Sequence, residues 1–152
     1  MSVVLDANVL VSLLIADEHQ PAVQAHLEDW LTTGEELHAP DALPYEVAYV
    51  PARLVSEGAL DVNGVTEIWQ GLAAFGLQLN PLDLASEGPE IAAITVQLRR
   101  RHATDSTYVR LAQRLEATSK RPRSDLEATL WTLDSALART AADLRLPVKL
   151  VA

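Results

Sequence analysis

Short, largely apolar runs recur along the chain, and a helical stretch separates each from the next. They are "SVVL" (2–5), "ELHAP" (36–40), "LQLNPL" (77–82), "ATLWTL" (128–133) and "PVKLV" (147–151). The first is β-branched and apolar without alternation, the pattern of a strand buried on both faces. Strands this short, joined by helices rather than tight turns, predict a parallel β-sheet sandwiched between α-helices, an α/β/α fold.

The intervening stretches carry helix signals. Asp6 precedes "ANVLVSLLIADE", Pro21 opens "PAVQAHLEDWL" and Gly34 ends it. Asp41 is expected to cap a helix that reaches about Glu57 and is stopped by Gly58. Pro44 falls in its tolerant first turn, and Pro51 should kink it. "DVNGVTEIWQGLAAFG" (61–76) is amphipathic, and "SEGPEIAAITVQLRRRH" predicts a helix from about Glu87. Two more follow from Thr104 and over 135–144, with "TSKRPRSD" (118–125) as a polar, basic loop. No internal repeat or interdomain linker interrupts the 152 residues, which suit one domain over 1–152.

Composition narrows the class. With 49% apolar and 22% charged residues the chain is globular. Cysteine is absent, so neither a disulfide framework nor a thiolate zinc site is open to it. No run approaches the ~20 apolar residues of a membrane span, and Asp6 interrupts the first apolar run before it can serve as a signal peptide. A cytoplasmic location without membrane contact is expected. Net charge is −9 but unevenly spread. Residues 1–98 hold fifteen acids and the single base Arg53, whereas 99–152 hold eleven bases and six acids.

Four acids stand out by position. Asp6 and Asp134 follow apolar runs, Asp105 lies in a first helical turn, and Glu46 sits within "PDALPYEVAYV". Side chains just beyond the carboxyl ends of parallel strands converge on one crevice. Each aspartate can also be read as a helix cap. Glu46 is harder to read that way, because it lies several residues into a helix among apolar neighbours, where a spare charge is costly; its alternative is a solvated helix face. At about 4 Å and an effective dielectric near 20, each like-charged pair costs roughly 4 kcal/mol. A cation or raised pKa values must offset that repulsion. Oxygen ligands without Cys or a His pair suit Mg²⁺, or Mn²⁺.

In order, "VVLDANVLVSLL", "LPYEVAYV", "TDSTYVRLAQRL" and "LWTLDSALARTA" resemble the four motifs of the PIN-domain ribonucleases, in particular the VapC-type toxins of toxin–antitoxin pairs. The resemblance runs from Val3 to Val151. It implies metal-assisted hydrolysis of an RNA phosphodiester, leaving a 5′-phosphate and a 3′-hydroxyl. Asp6, Glu46, Asp105 and Asp134 would bind one or two divalent ions, with Asn8 and Thr132 as polar helpers. It further implies a homodimer and a small VapB-like antitoxin as partners. The chain departs from the family pattern at Pro51, in the longer and more basic connection 116–128, and in Asp125 and Glu127 near the fourth motif.

An acidic ribonuclease must still attract an anion. Arg99, Arg100 and Arg101, with Lys120, Arg121 and Arg123, are the candidate RNA-binding residues, and Arg110 and Arg114 are expected to add to the same attraction. The alternative for 99–101 is a helix end whose dipole favours cations. Other chemistries find little support. There is no P-loop, G-x-S-x-G or G-x-G-x-x-G, and Pro21 intervenes between His19 and His26. A haloacid-dehalogenase-like phosphatase would need Asp where Asn8 stands. Two further alternatives are a PIN-like module that binds metal and protein without cutting, its apolar stretch 41–76 an interface, and a PIN nuclease of RNA processing outside toxin–antitoxin systems.

Overall fold

The computed structural model describes residues 1–118 and 128–151. Its elements run β1 (Ser2–Leu5), α1 (Ala7–Ile15), α2 (Gln20–Thr33), β2 (Glu36–Pro40), α3 (Leu43–Val47), α4 (Tyr49–Ser56), α5 (Val62–Ala74), β3 (Gln78–Asn80), α6 (Leu84–Gln97), α7 (Thr104–Thr118), β4 (Ala128–Thr132), α8 (Ser135–Asp143) and β5 (Val148–Leu150). All five strands pair in parallel, in the order β3-β2-β1-β4-β5. Helices flank the sheet, as the alternating pattern predicts.

β1 is the central strand. Val3 and Val4 have no exposed surface and Leu5 has 2%; each such side chain contributes about 1.5–3 kcal/mol by leaving water. α7 lies across β1, β2 and β4, sealing them with Tyr108, Val109, Leu111 and Ala112, all fully buried. The chain builds outward from β1 through β2 to β3, then returns to the other side of β1 with β4. That reversal leaves a crevice outside the carboxyl ends of β1 and β4, where open α/β sheets bind ligands.

Three expectations need correcting. The single kinked helix from Asp41 to Glu57 is two helices, α3 and α4, separated at Ala48. The Pro51 ring excludes the Val47 carbonyl four residues back and offers it no N–H, so Pro51 breaks the helix rather than bending it. It then sits third in α4, where no intrahelical partner is missed. Asp41 is not the cap: its N–H donates to the Asn80 carbonyl (3.0 Å), and Ala42 precedes α3 without a side-chain cap.

Helix α6 begins at Leu84, not Glu87, because Asp83 caps it by accepting from the Ser86 N–H at 2.9 Å. It ends at Gln97 with Leu98 as its C-cap, and the Arg99 and Arg100 N–H groups bond the Val96 and Thr95 carbonyls, so these arginines form the turn that closes α6 and lead into the connection to α7.

Candidate active site

Parallel register places the first two acids' surroundings. Leu5 pairs with Trp131, and the Asp6 N–H donates to the Trp131 carbonyl at 3.0 Å. Asp6 thereby comes to lie beside Thr132, the next residue of β4. It occupies the N-cap position of α1 in extended conformation, yet makes no capping hydrogen bond. Its carboxylate turns to the crevice instead. Oδ2 accepts from the Thr132 hydroxyl (2.6 Å) and from Asn8 Nδ2 (3.0 Å).

Asn8 and Thr132 are locked in turn. The second Asn8 Nδ2 hydrogen goes to Thr132 Oγ1 (3.1 Å), and Asn8 Oδ1 accepts from the Leu133 N–H (3.0 Å). Thr132 Oγ1 also accepts from the Asp134 N–H at 3.0 Å. The two polar helpers therefore join the ends of β1 and β4 and fix one oxygen of Asp6. Such closed networks hold a ligand carboxylate in a single orientation.

Asp134 combines the two roles weighed for it. Oδ1 caps α8 by accepting from the Leu137 N–H (2.8 Å), while Oδ2 accepts from Arg100 Nη2 (2.9 Å). Arg100 Nε lies 3.3 Å from Asp105 Oδ2, so one guanidinium bridges Asp105 and Asp134. Glu46, on the short α3, accepts from the Tyr108 hydroxyl at 3.1 Å.

The charges follow the burial. Asp6 is 6% exposed, and desolvation raises its pKa from 3.8 to about 6; Thr132 opposes the rise and Asp105 adds to it. Burial also raises Glu46, with Tyr108 opposing and Asp6 and Asp105 reinforcing. Asp105 is raised by burial and by Asp134, against the pull of Arg100. For Asp134, partial burial pushes upward, but the Leu137 N–H and Arg100 outweigh it and the carboxyl lies below its ordinary value. Burial and the surrounding carboxylates push the Tyr108 hydroxyl up, so it remains a donor.

The four motif acids thus face one crevice and feel one another's charge. Among the described residues no group of three or more His, Asp or Glu side chains is drawn close enough together to hold an ion as they stand. Arg100 stands between two of the acids where a shared cation would bind. By donor chemistry alone, Asp6, Glu46 and Asp105 are the oxygens that a hard divalent ion would use; the Asp134 side is already partly neutralised by Arg100.

Beside Glu46 opens a cleft of about 620 Å³, lined by Tyr45, Arg101, His102, Thr104 and Thr107 among others. Arg101 is exposed there and Arg99 is exposed outside the cleft lining, but Arg100 faces inward onto the carboxylates. Arg110 and Arg114 are committed elsewhere, as partners of the buried Glu87. Lys120, Arg121 and Arg123, with Asp125 and Glu127, lie outside the described residues. Sequence reasoning missed two site residues. Tyr108 carried a signal, three residues after Asp105 on one helix face. Arg100 was read as an RNA contact.

Among the described residues no helix is long and apolar enough to cross a membrane. A family model described as "PIN domain" matches residues 3–143. A comparison with curated proteins found no match.

Proposed function

Because the chain belongs to the PIN-domain family, we propose that it is a divalent-metal-dependent endoribonuclease and the toxin of a VapBC-type pair. PIN domains are generally metal-dependent nuclease modules. Ribonuclease activity, Mg²⁺ as the ion and the toxin role are finer readings, which the motif residues support.

Asp6 carries the proposal. A buried carboxylate with a pKa near 6, oriented by Thr132 and Asn8, is costly unless a cation offsets it. Asp6, Glu46 and Asp105 would hold the ion, while Asp134, both of whose oxygens the protein already engages, would lie outside its ligands. When bound, such an ion neutralises charge on the phosphate and makes water a better nucleophile. The remaining work falls to the chain. Thr132 and Asn8 hold Asp6 in place, and the Tyr108 hydroxyl holds Glu46. Tyr45 and Arg101 beside Glu46 offer an aromatic face for a base and a cation for a phosphate. A second copy and a VapB-like antitoxin are the expected protein partners.

Incubating the full chain with RNA and Mg²⁺ or Mn²⁺ should give fragments bearing 5′-phosphates. Asp6→Asn should slow cleavage by more than roughly 100-fold, the upper range for losing even an indirect ligand partner. Equal cleavage by both proteins would overturn the assignment. One observation favours a second reading, a PIN-like module that does not cut: Arg100 already neutralises part of Asp105 and Asp134. Growth arrest on induced expression, relieved by Asp6→Asn, supports the toxin role. Cleavage without arrest points to RNA processing instead.

A further inference from the structure

Arg100 enters the carboxylate crevice from the connection between α6 and α7. The preceding Arg99 has a left-handed backbone (φ 53), uncommon for a residue with a side chain. The Arg100 N–H then bonds the Thr95 carbonyl at 3.2 Å. This turn separates Arg100 from its two exposed neighbours and aims it inward. Its side chain is 30% exposed and contacts Asp134 at 2.9 Å and Asp105 at 3.3 Å. With Oδ1 on the Leu137 N–H and Oδ2 on Arg100, both oxygens of Asp134 are engaged by the protein.

A guanidinium between two carboxylates takes the place a divalent ion occupies when it is shared by them, and leaves one positive charge there. We infer that Arg100 is a tethered counter-ion that competes with metal for the Asp105–Asp134 pair and limits the crevice to one divalent ion, on the side of Asp6 and Glu46. The inference rests on the metal-dependent reading and adds to it a residue that sets ion number and affinity. Arg100 is a positioning residue in this role, since it acts through the two carboxylates.

Mn²⁺ titration of the full chain by calorimetry and electron paramagnetic resonance, with thermal melts in the same buffers, tests this without substrate. The wild type should take one ion. Arg100→Gln should take a second, or bind the first about tenfold tighter, with a larger Mn²⁺-induced rise in Tm. Arg100→Lys keeps the charge and should stay nearer the wild type. Asp134→Asn should bind the first ion within about threefold of the wild type, and it reports on the same competition if Arg100→Gln folds poorly. Unchanged stoichiometry and affinity in Arg100→Gln, two ions in the wild type, or a loss of more than about tenfold in Asp134→Asn overturns the inference. If Asp6→Asn abolishes binding and cleavage while Arg100→Gln matches the wild type, the counter-ion role alone fails. No Mn²⁺ binding by either the wild type or Arg100→Gln, with no cleavage, defeats both readings.

Discussion

At Asp6 the fold and the site make opposite demands. Burial against the ends of β1 and β4 is what positions the carboxylate, and the same burial raises its pKa from 3.8 to about 6. A group whose folded pKa is raised binds its proton more tightly when folded. For this acid, the folded state is therefore favoured at low pH and loses stability as pH rises from about 4 through 6, by about 3 kcal/mol in all. Asparagine keeps an oxygen for Thr132 and Asn8 but carries no charge. In chelator-treated buffer, urea denaturation should show Asp6→Asn close to the wild type near pH 4. By pH 7 the variant should be more stable by about 3 kcal/mol, and saturating Mn²⁺ should narrow the gap. A stability difference that does not change with pH would contradict this. Asp6 was legible in the sequence because a strand followed by an acid and a helix fixes its place. The partner of Glu46 was not: Tyr108 lies 62 residues away, and only the packing of α7 on the sheet brings them together. Within "RRR", residue type does not say which arginine turns inward; the left-handed backbone of Arg99 does.

Helices α6 and α7 are held together by an ion cluster that sequence patterning gave no reason to expect. Glu87 is 5% exposed and accepts from both Arg110 and Arg114, the latter at 3.0 Å, while Arg114 also reaches the Pro81 carbonyl. Burial pushes the Glu87 carboxyl upward, but the two arginines outweigh it and the net direction is down. Its contribution is therefore present above the ordinary glutamate value and is lost as pH falls. Removing one member of a buried pair strands its partners, so Glu87→Ala should cost about 3 kcal/mol. Arg114, about a quarter exposed, is screened by water, and Arg114→Ala should cost roughly 1 kcal/mol. Denaturant titration at pH 7 measures both; a Glu87→Ala cost below about 0.5 kcal/mol would show the cluster to be incidental. The misplaced boundaries have local causes. A start at Glu87 passes over Asp83, whose side chain sets the start. Pro51 signals a disruption, but its clash falls on Val47, so the break appears upstream of the proline. Strand positions suffered less, because a short apolar run bounded by turn residues has little room to slide.

For the whole molecule, strand–helix alternation dictates a parallel sheet, but strand order is set by which crossovers the packing accepts. That order places β1 between β2 and β4, and so decides that Asp6 and Thr132 meet. Charge is arranged at the same scale. With Arg110 and Arg114 committed to Glu87, and Arg100 to Asp105 and Asp134, three of the twelve Lys and Arg residues are withheld from an RNA backbone on a chain of net charge −9. Arg99 and Arg101 are exposed, and Lys120, Arg121 and Arg123 follow in sequence. Binding should then be weak and shallow in salt dependence, since each phosphate neutralised on a single strand contributes a slope of only about −0.7 in log K against log salt. Fluorescence anisotropy with single-stranded RNA, using Asp6→Asn to prevent cleavage, reads this slope directly. Replacing Arg101, Arg121 and Arg123 together by Gln should flatten it by about 2, whereas Arg110→Gln should leave it unchanged while lowering stability. An unaltered slope in the triple variant would remove the basic segment from the RNA surface. Attraction would then fall to the metal that the carboxylates are proposed to bind.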